Sequence, residues 1–166
     1  MMAIAYFGEL ALAPLLAGVL LVFSPVKMTT AAGLFVCGVV AWSFAEYVFH
    51  RFVFHNLIRK QHAMHHAHPD EPVLTILWPI WVCFVIVYLV AGGTFLAGGL
   101  IGYAWYLFVH HCSHHGPDKV LRPLLQHHRL HHRFATRNYG VSSTLWDHVF
   151  GTMLQYRSKP HRRLWR

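Results

Sequence analysis

The chain has 166 residues, of which 55% are hydrophobic and only 12% are charged, and its mean hydropathy is +0.38. This composition excludes an ordinary soluble domain and predicts a polytopic membrane protein, which we expect to form one domain over residues 1–166. The net charge of +8 would suit nucleic acid, but membrane topology alone accounts for it, so we expect no nucleic-acid partner.

Four apolar runs are long enough, or nearly long enough, to cross a bilayer as helices, since a span needs about 20 residues. In chain order they are 6–24, 31–49, 73–91 and 94–109. Glu9 and Pro14 interrupt the first run and are expected to distort it. The links at Lys27 and at Gly92 are short, so the sequence predicts two helical hairpins in an all-α fold.

The basic residues predict the orientation of these helices. Thirteen of the 14 Lys and Arg residues follow the second or the fourth run, which by the positive-inside rule places both termini on the cytoplasmic side. Beyond the fourth run, Gly116 and Pro117 should end the helix, and Asp118 should cap a new helix at about 119–134. A loop at 139–143 and a short apolar segment at 145–154 complete a predicted cytoplasmic helical cap.

A GxxxG pattern lies in the fourth run, at Gly98 and Gly102. Small residues at this spacing let two helices approach closely. We expect the pattern to pack helices within the bundle rather than to form a dimer.

Histidine is the most unusual part of the composition. Sixteen residues are histidine, and 14 of them lie in four groups, at 50–55, 62–68, 110–115 and 127–132, all on the predicted cytoplasmic side. Neutral imidazole is the commonest protein ligand for transition metals. The sequence therefore predicts a polyhistidine metal centre at the membrane surface, with a merely compositional metal-sequestering tract as the alternative.

The spacing of the histidines selects the candidate ligands, because residues at i, i+3 and i+4 of a helix share a face. His50 and His55 are five residues apart, so they can converge only where the helix ends or bends. The ten predicted ligands are His50, His55, His62, His65, His66, His110, His114, His128, His131 and His132. Ten nitrogens suffice for two metal ions with open positions. Four histidines of these groups are not selected as ligands and are predicted to be supporting or surface residues. They are His68, His111, His115 and His127.

Acidic residues are predicted to support these ligands. Glu46 lies one helical turn before His50, within the second run, where a carboxylate is costly unless it has a function. It could accept the N–H of a ligand histidine, or instead pair with Arg51 or a tyrosine. Asp147 and Asp70 are similar candidates with weaker support.

Several segments together resemble a known family. They are EYVFHRFVFH, HAMHH, YLFVHHCSHHGP, LLQHHRLHHRF and YGVSSTLWDHVFGT, and they span about residues 42–155. They resemble the fatty acid hydroxylase branch of the sterol desaturase and hydroxylase superfamily, and most closely the fatty acid 2-hydroxylases, here without the cytochrome b5 domain that some relatives carry. Leu107 stands where the family often has Asp. The resemblance implies that the same ten histidines are the ligands of a di-iron centre.

The resemblance also implies a function, namely a membrane-bound non-haem dimetal oxygenase that hydroxylates a lipid, at C2 of a fatty acyl chain. O2 would be the co-substrate and two iron ions the cofactor, although zinc also suits imidazole and could occupy the site in purified samples. The sequence contains no flavin, haem or iron–sulfur motif, so the two electrons should come from a separate reductase, a cytochrome b5-like protein or a ferredoxin-like protein. The alternatives are a carotenoid or sterol hydroxylase or desaturase of the same superfamily and, in a different class, a non-catalytic membrane metal-binding protein.

Overall fold

The computed structural model of the protein describes residues 2–69, 78–116 and 121–154, and all its regular elements there are helices. In chain order they are α1 (Met2–Val22), α2 (Met28–Val48), a π-helix (Phe49–Leu57), α3 (Arg59–Ala67), α4 (Trp78–Ala91), α5 (Gly93–His115), α6 (Arg122–Arg133) and α7 (Leu145–Val149). The predicted all-α class is confirmed for the described part of the chain.

Helix α5 lies at the centre of the bundle, and α1, α2 and α4 pack around it. Apolar side chains on several of its faces are buried at once, which a helix shows when other helices surround it. The buried core comprises Ala13 and Ala17 of α1, Trp42 of α2, Phe84 of α4, and Leu96, Ala97, Leu100, Tyr103 and Leu107 of α5. Since α5 ends in the histidines of the third group, its neighbours fix the position of those histidines.

Helices α2 and α5 approach each other most closely at glycines. A Cβ atom on Gly98 would lie 2.0 Å from the carbonyl oxygen of Phe35, and one on Gly102 would lie 2.7 Å from the Trp42 ring. The GxxxG pattern of α5 therefore packs inside the bundle, as predicted from the sequence.

The short links between α1 and α2 and between α4 and α5 lie together, and α1 and α2 both pack on α5 rather than on each other. Helix α5 begins two residues after α4 ends, through Gly92 with a φ of 82°, a conformation that favours glycine. A hydrogen bond of 2.7 Å joins the hydroxyls of Ser24, after α1, and Thr94, in the first turn of α5. The histidines of the π-helix that continues α2, and those at the end of α5, consequently lie at the opposite end of the bundle from both turns.

Two expectations about helix boundaries were wrong. Helix α1 runs through Glu9 and Pro14 without interruption, because the Glu9 carboxylate is not left unpaired. It accepts hydrogen bonds from Trp81 Nε1, at 2.9 Å, and from the Tyr103 hydroxyl. Helix α6 begins at Arg122 rather than near 119, after Leu121 in a left-handed conformation, and the proposed capping residue Asp118 lies outside the described residues.

Within the described residues, one continuous helical stretch, Met28–Leu57, is long and apolar enough to cross a membrane by its length and composition. Tyr6–Val22 and Pro79–Ala91 are apolar but shorter. The first residues of the third predicted run, 73–77, lie outside the described part of the chain. The predicted count of four spans is therefore not confirmed.

Substitution of Gly98 by alanine should destabilise the bundle, because the new Cβ would overlap the Phe35 carbonyl and force α2 and α5 apart. Overpacking of this kind costs about 1–3 kcal/mol. The matched control is Gly99→Ala on the next residue, where the nearest atom to a new Cβ is the Gly38 oxygen at 3.9 Å. Thermal unfolding in detergent should show a lower midpoint for Gly98→Ala only; equal midpoints would contradict the close contact.

Candidate metal centre

The ten predicted ligands converge and divide into two groups of five. Group one contains His50, His55, His62, His66 and His131, and group two contains His65, His110, His114, His128 and His132. Within each group the ligand nitrogens all lie within 4.8 Å of one another. Group one draws on the π-helix, α3 and α6, while group two draws on α3, α5 and α6. Their binding of metal stays a prediction.

The π-helix explains how His50 and His55 reach the same group. In an α-helix, residues five apart point about 140° away from each other. A π-helix closes its hydrogen bonds from i to i+5 and therefore places such residues one turn apart on one side. The two rings stack with centroids 5.3 Å apart. The expectation that the helix must end or bend between them was wrong, since it widens instead.

Each histidine motif on α3 and α6 is shared between the groups. His62 and His66 contribute to group one, whereas His65 between them contributes to group two. On α6 the pattern is reversed, with His131 in group one and its neighbours His128 and His132 in group two. Spacing places the members of each motif on one helix face, but the structure divides them between two groups. The two groups are instead linked by both helices, which fixes their separation.

Distances within the groups suit transition-metal coordination. Metal–imidazole bonds of about 2.1 Å at right angles place two nitrogens about 3.0 Å apart. The Nε2 atoms of His50 and His62, of His62 and His66, of His65 and His110, and of His128 and His132 are each 3.0 Å apart. The residues present therefore fit a metal ion in each group.

Backbone carbonyls orient two rings of group one. His50 Nδ1–H donates to the Tyr139 carbonyl at 2.5 Å, and His131 Nδ1–H donates to the Arg137 carbonyl at 2.7 Å. A carbonyl oxygen can only accept, so Nδ1 carries the proton and Nε2 of the neutral ring carries a lone pair for the metal. In group two, His114 Nε2 is buried without a hydrogen-bond partner among the described residues, which also fits a metal ion.

Burial keeps these imidazoles neutral. It lowers the pKa of His131 to about 3, and burial together with the nearby His66 and His114 lowers the pKa of His132 to about 2. Neutral imidazole is the form that binds metal. Near pH 7 the rings therefore need not lose a proton before they bind an ion.

Glu46 supports the ligands indirectly. One carboxylate oxygen accepts the backbone N–H groups of Val141, at 2.6 Å, and Ser142, at 2.8 Å, and the other accepts the Ser142 hydroxyl. The expected hydrogen bond from a ligand histidine is replaced by these contacts, because the 139–143 loop lies between the carboxylate and the ligands. Glu46 thus holds the loop whose Tyr139 carbonyl orients His50.

Asp147 of α7, fully buried, holds the same loop from the other side. It accepts hydrogen bonds from the backbone N–H groups of Tyr139 and Gly140 and from the Thr152 hydroxyl. Nε2 of His127 donates to it as well, at 2.9 Å. Burial by itself raises the pKa of Asp147, but these hydrogen bonds outweigh burial and hold it below its usual value.

The four histidines that spacing did not select as ligands lie outside group one and group two. His127, which spacing left unassigned, is the buried partner of Asp147, and no pattern in the sequence links two residues 20 positions apart. His111 packs against the rings of Tyr6 and Phe7, while His68 and His115 are exposed. Asp70 lies outside the described residues.

A cavity opens between the two groups. It is lined by His50 and His62 of group one, by His65, His110 and His128 of group two, and by Phe54, Ile58, Gln61, Tyr106 and Val141. Sequence reasoning missed these last five residues, since only the assembled helices bring them together. A molecule in this cavity contacts both groups at once.

Comparison with known proteins places this site in a family context. Residues 35–152 match the model of the fatty acid hydroxylase family. A fatty acid 2-hydroxylase of Homo sapiens is 36% identical, over 78% of this chain and 41% of that protein. A dihydroceramide fatty acyl 2-hydroxylase of Arabidopsis thaliana is 33% identical, over 70% of this chain and 58% of that protein. The chain thus spans about half the length of these relatives.

A solved structure shows the same fold. It is that of full-length scs7p, in which only the hydroxylase domain is visible. The TM-score is 0.74 at 28% sequence identity, and the match covers 93% of this chain and 67% of that one.

The purified chain should bind about two transition-metal ions, because each group of five nitrogens suits one ion. His55→Ala in group one and His132→Ala in group two should each reduce the metal content by about one ion. His148→Ala, at an exposed histidine outside both groups, is the control. Elemental analysis of the purified variants measures this; loss of both ions from either single variant would show that the groups do not bind independently.

Replacement of Glu46 should separate its positioning role from its charge. Glu46→Gln keeps an oxygen for the Val141 and Ser142 N–H groups, whereas Glu46→Leu leaves both without a partner. We expect Glu46→Leu to weaken metal binding at group one by about 10–100-fold and Glu46→Gln to stay near the wild type. Chelator competition measures the affinity, with circular dichroism to confirm folding. Equal loss in both variants would instead assign the effect to the charge.

Proposed function

The chain belongs to the fatty acid hydroxylase family. On that basis we propose that it is an integral membrane enzyme that hydroxylates a lipid acyl chain at carbon 2. Its described helices are proposed to form one hydroxylase domain. The observation that carries the proposal is the pair of five-histidine groups around one cavity. Relatives named fatty acid 2-hydroxylase and dihydroceramide fatty acyl 2-hydroxylase support the position of the hydroxyl group.

The cofactor is proposed to be two iron ions, one in each group. An ion that accepts six ligands and binds five imidazoles retains one position for oxygen or water. Iron held by these nitrogens would supply the activation of O2 needed to attack an unreactive C–H bond. The residues of the chain hold the nitrogens in place, keep them neutral and enclose the reacting carbon in a cavity with apolar walls.

The reaction requires two electrons from outside the chain. A C–H bond at carbon 2 breaks and a C–OH bond forms, while the second oxygen atom leaves as water with two protons and two electrons. A reductase, a cytochrome b5-like protein or a ferredoxin-like protein would supply the electrons. Exposed cations on the histidine side of the bundle, Arg59, Lys60, Arg133 and Arg137, favour an acidic donor. Since the Arg137 carbonyl binds His131, a donor at this surface would lie close to group one.

The bundle is proposed to cross the membrane four times, through α1, α2, α4 and α5, with the termini and the histidines on the cytoplasmic side. Large apolar side chains are exposed on the outer helices, among them Leu15, Val22, Phe23, Met28, Val36, Leu89 and Val90. Such a surface is unfavourable in water and suits lipid. The buried Glu9 is paired with α4 and α5, so its carboxylate need not contact the lipid.

The test is mass spectrometry of the lipids of cells that express the chain together with a compatible reductase. We expect acyl chains that are heavier by one oxygen at carbon 2. His131→Ala removes a ligand and should abolish this product, while His148→Ala should retain it.

Other outcomes would contradict the assignment in distinct ways. Oxygen gained on a carotenoid or sterol, or a new double bond, would move the chain to another activity of the superfamily. Metal binding without any oxygenated product would favour a non-catalytic metal-binding protein.

A further inference from the structure

We propose that Gln61 binds the carbonyl oxygen of the acyl substrate and thereby selects carbon 2 for hydroxylation. The inference rests on the proposed function and names a residue that determines which carbon of the acyl chain is hydroxylated. Gln61 lines the cavity between the two histidine groups and lies outside the ten predicted ligands.

The place of Gln61 on α3 puts it beside both groups. It directly precedes His62 of group one and lies one helical turn before His65 of group two. Residues at i and i+4 share a helix face. A group bound to the Gln61 amide is therefore held next to the space that both metal groups border.

The chemistry of the cavity wall favours Gln61 as the carbonyl donor. The walls away from the histidines are formed mainly by the apolar side chains of Phe54, Ile58 and Val141. A carboxamide offers two N–H donors, and a carbonyl oxygen entering an apolar cavity needs a donor. Among the described residues, no hydrogen bond occupies the Gln61 side chain, so its donors are free for a substrate.

Exposure of Gln61 places it at the mouth of the cavity. The group attached to the carbonyl can then remain outside, while the acyl chain enters the cavity, whose apolar lining includes Phe54 and Val141. Carbon 2 is bonded directly to the carbonyl carbon, so an anchored carbonyl presents this carbon first. The methylene groups further along the chain differ little in reactivity, so position must come from such an anchor.

Besides Gln61 and the histidines, Tyr106 is the lining residue whose side chain offers a hydrogen-bond donor, its hydroxyl group. Its ring lies parallel to that of His110, with an interplanar angle of 8° and centroids 5.8 Å apart. Tyr106 belongs to α5 and borders group two, whereas Gln61 stands beside ligands of both groups. The two residues can be distinguished by experiment.

The experiment compares Gln61→Leu, Tyr106→Phe and wild type in the full chain loaded with iron. The control is Gln126→Leu, the same substitution on α6 at a residue outside the cavity lining. Palmitic acid and N-palmitoyl ethanolamide serve as substrates, because a free acid and an amide both present a carbonyl oxygen. The readouts are the position of the hydroxyl group, by fragmentation of the products, kcat/KM, and the iron content.

For Gln61→Leu we expect kcat/KM to fall about tenfold, as for loss of one hydrogen bond, and hydroxyl groups to appear beyond carbon 2, with iron content unchanged. Gln126→Leu should match the wild type. The substrate on which the shift occurs identifies the carbonyl that Gln61 binds.

Three results would overturn the inference. They are unchanged position and rate in Gln61→Leu, loss of iron in that variant, or a positional shift in Tyr106→Phe alone. A wild-type protein that makes no 2-hydroxylated product would instead overturn the proposed function itself.

Discussion

Imidazole binds a metal ion only when it is neutral and its lone pair points at the ion, and the ten predicted ligands of this protein would have to meet that condition together. The rings come from four separate helical elements, so this condition constrains the whole histidine end of the bundle. The π-helix rotates His55 onto the side of His50, and α3 and α6 each contribute to both groups. Because these two helices are shared, the groups cannot shift independently, which favours a fixed separation between two metal ions.

Two buried carboxylates stabilise the arrangement of the histidines indirectly, through the 139–143 loop. Glu46 and Asp147 accept backbone N–H groups of the same loop from opposite sides, and the loop in turn orients His50 through the Tyr139 carbonyl. A buried carboxylate without donors would be costly, so the loop and the carboxylates depend on each other. The loop has a second effect, because Val141, whose N–H binds Glu46, also lines the cavity. The hydrogen bonds that orient a ligand therefore also shape the proposed substrate site.

The two ends of the bundle have different requirements. At the hairpin end, glycines and small side chains allow α2 and α5 to touch, and the Ser24–Thr94 hydrogen bond joins the turns. At the histidine end, polar rings replace apolar packing and a cavity remains between them. The close contact of α2 with α5 at the hairpin end fixes the position of α5. Because α5 extends to the histidine end, the same contact fixes the cavity-lining residues that α5 contributes there. This division suits the proposed function, in which a lipid chain enters beside two metal ions held at a fixed separation.

The sequence by itself determined the all-α class, the family and the ten histidines that converge, because residue type and helical periodicity are local properties. It left Gln61, Tyr106 and His127 unassigned, and it offered a histidine, Arg51 or a tyrosine as the partner of Glu46 rather than the loop. Only the tertiary structure decided which group each histidine joins. His65 and His66 are adjacent in sequence, yet they belong to different groups, because His65 meets His110 of α5 at 3.0 Å, whereas the His66 ring lies 5.6 Å from that of His55 on the π-helix. Such choices depend on the angles and distances between helices, which are set by packing across the whole chain.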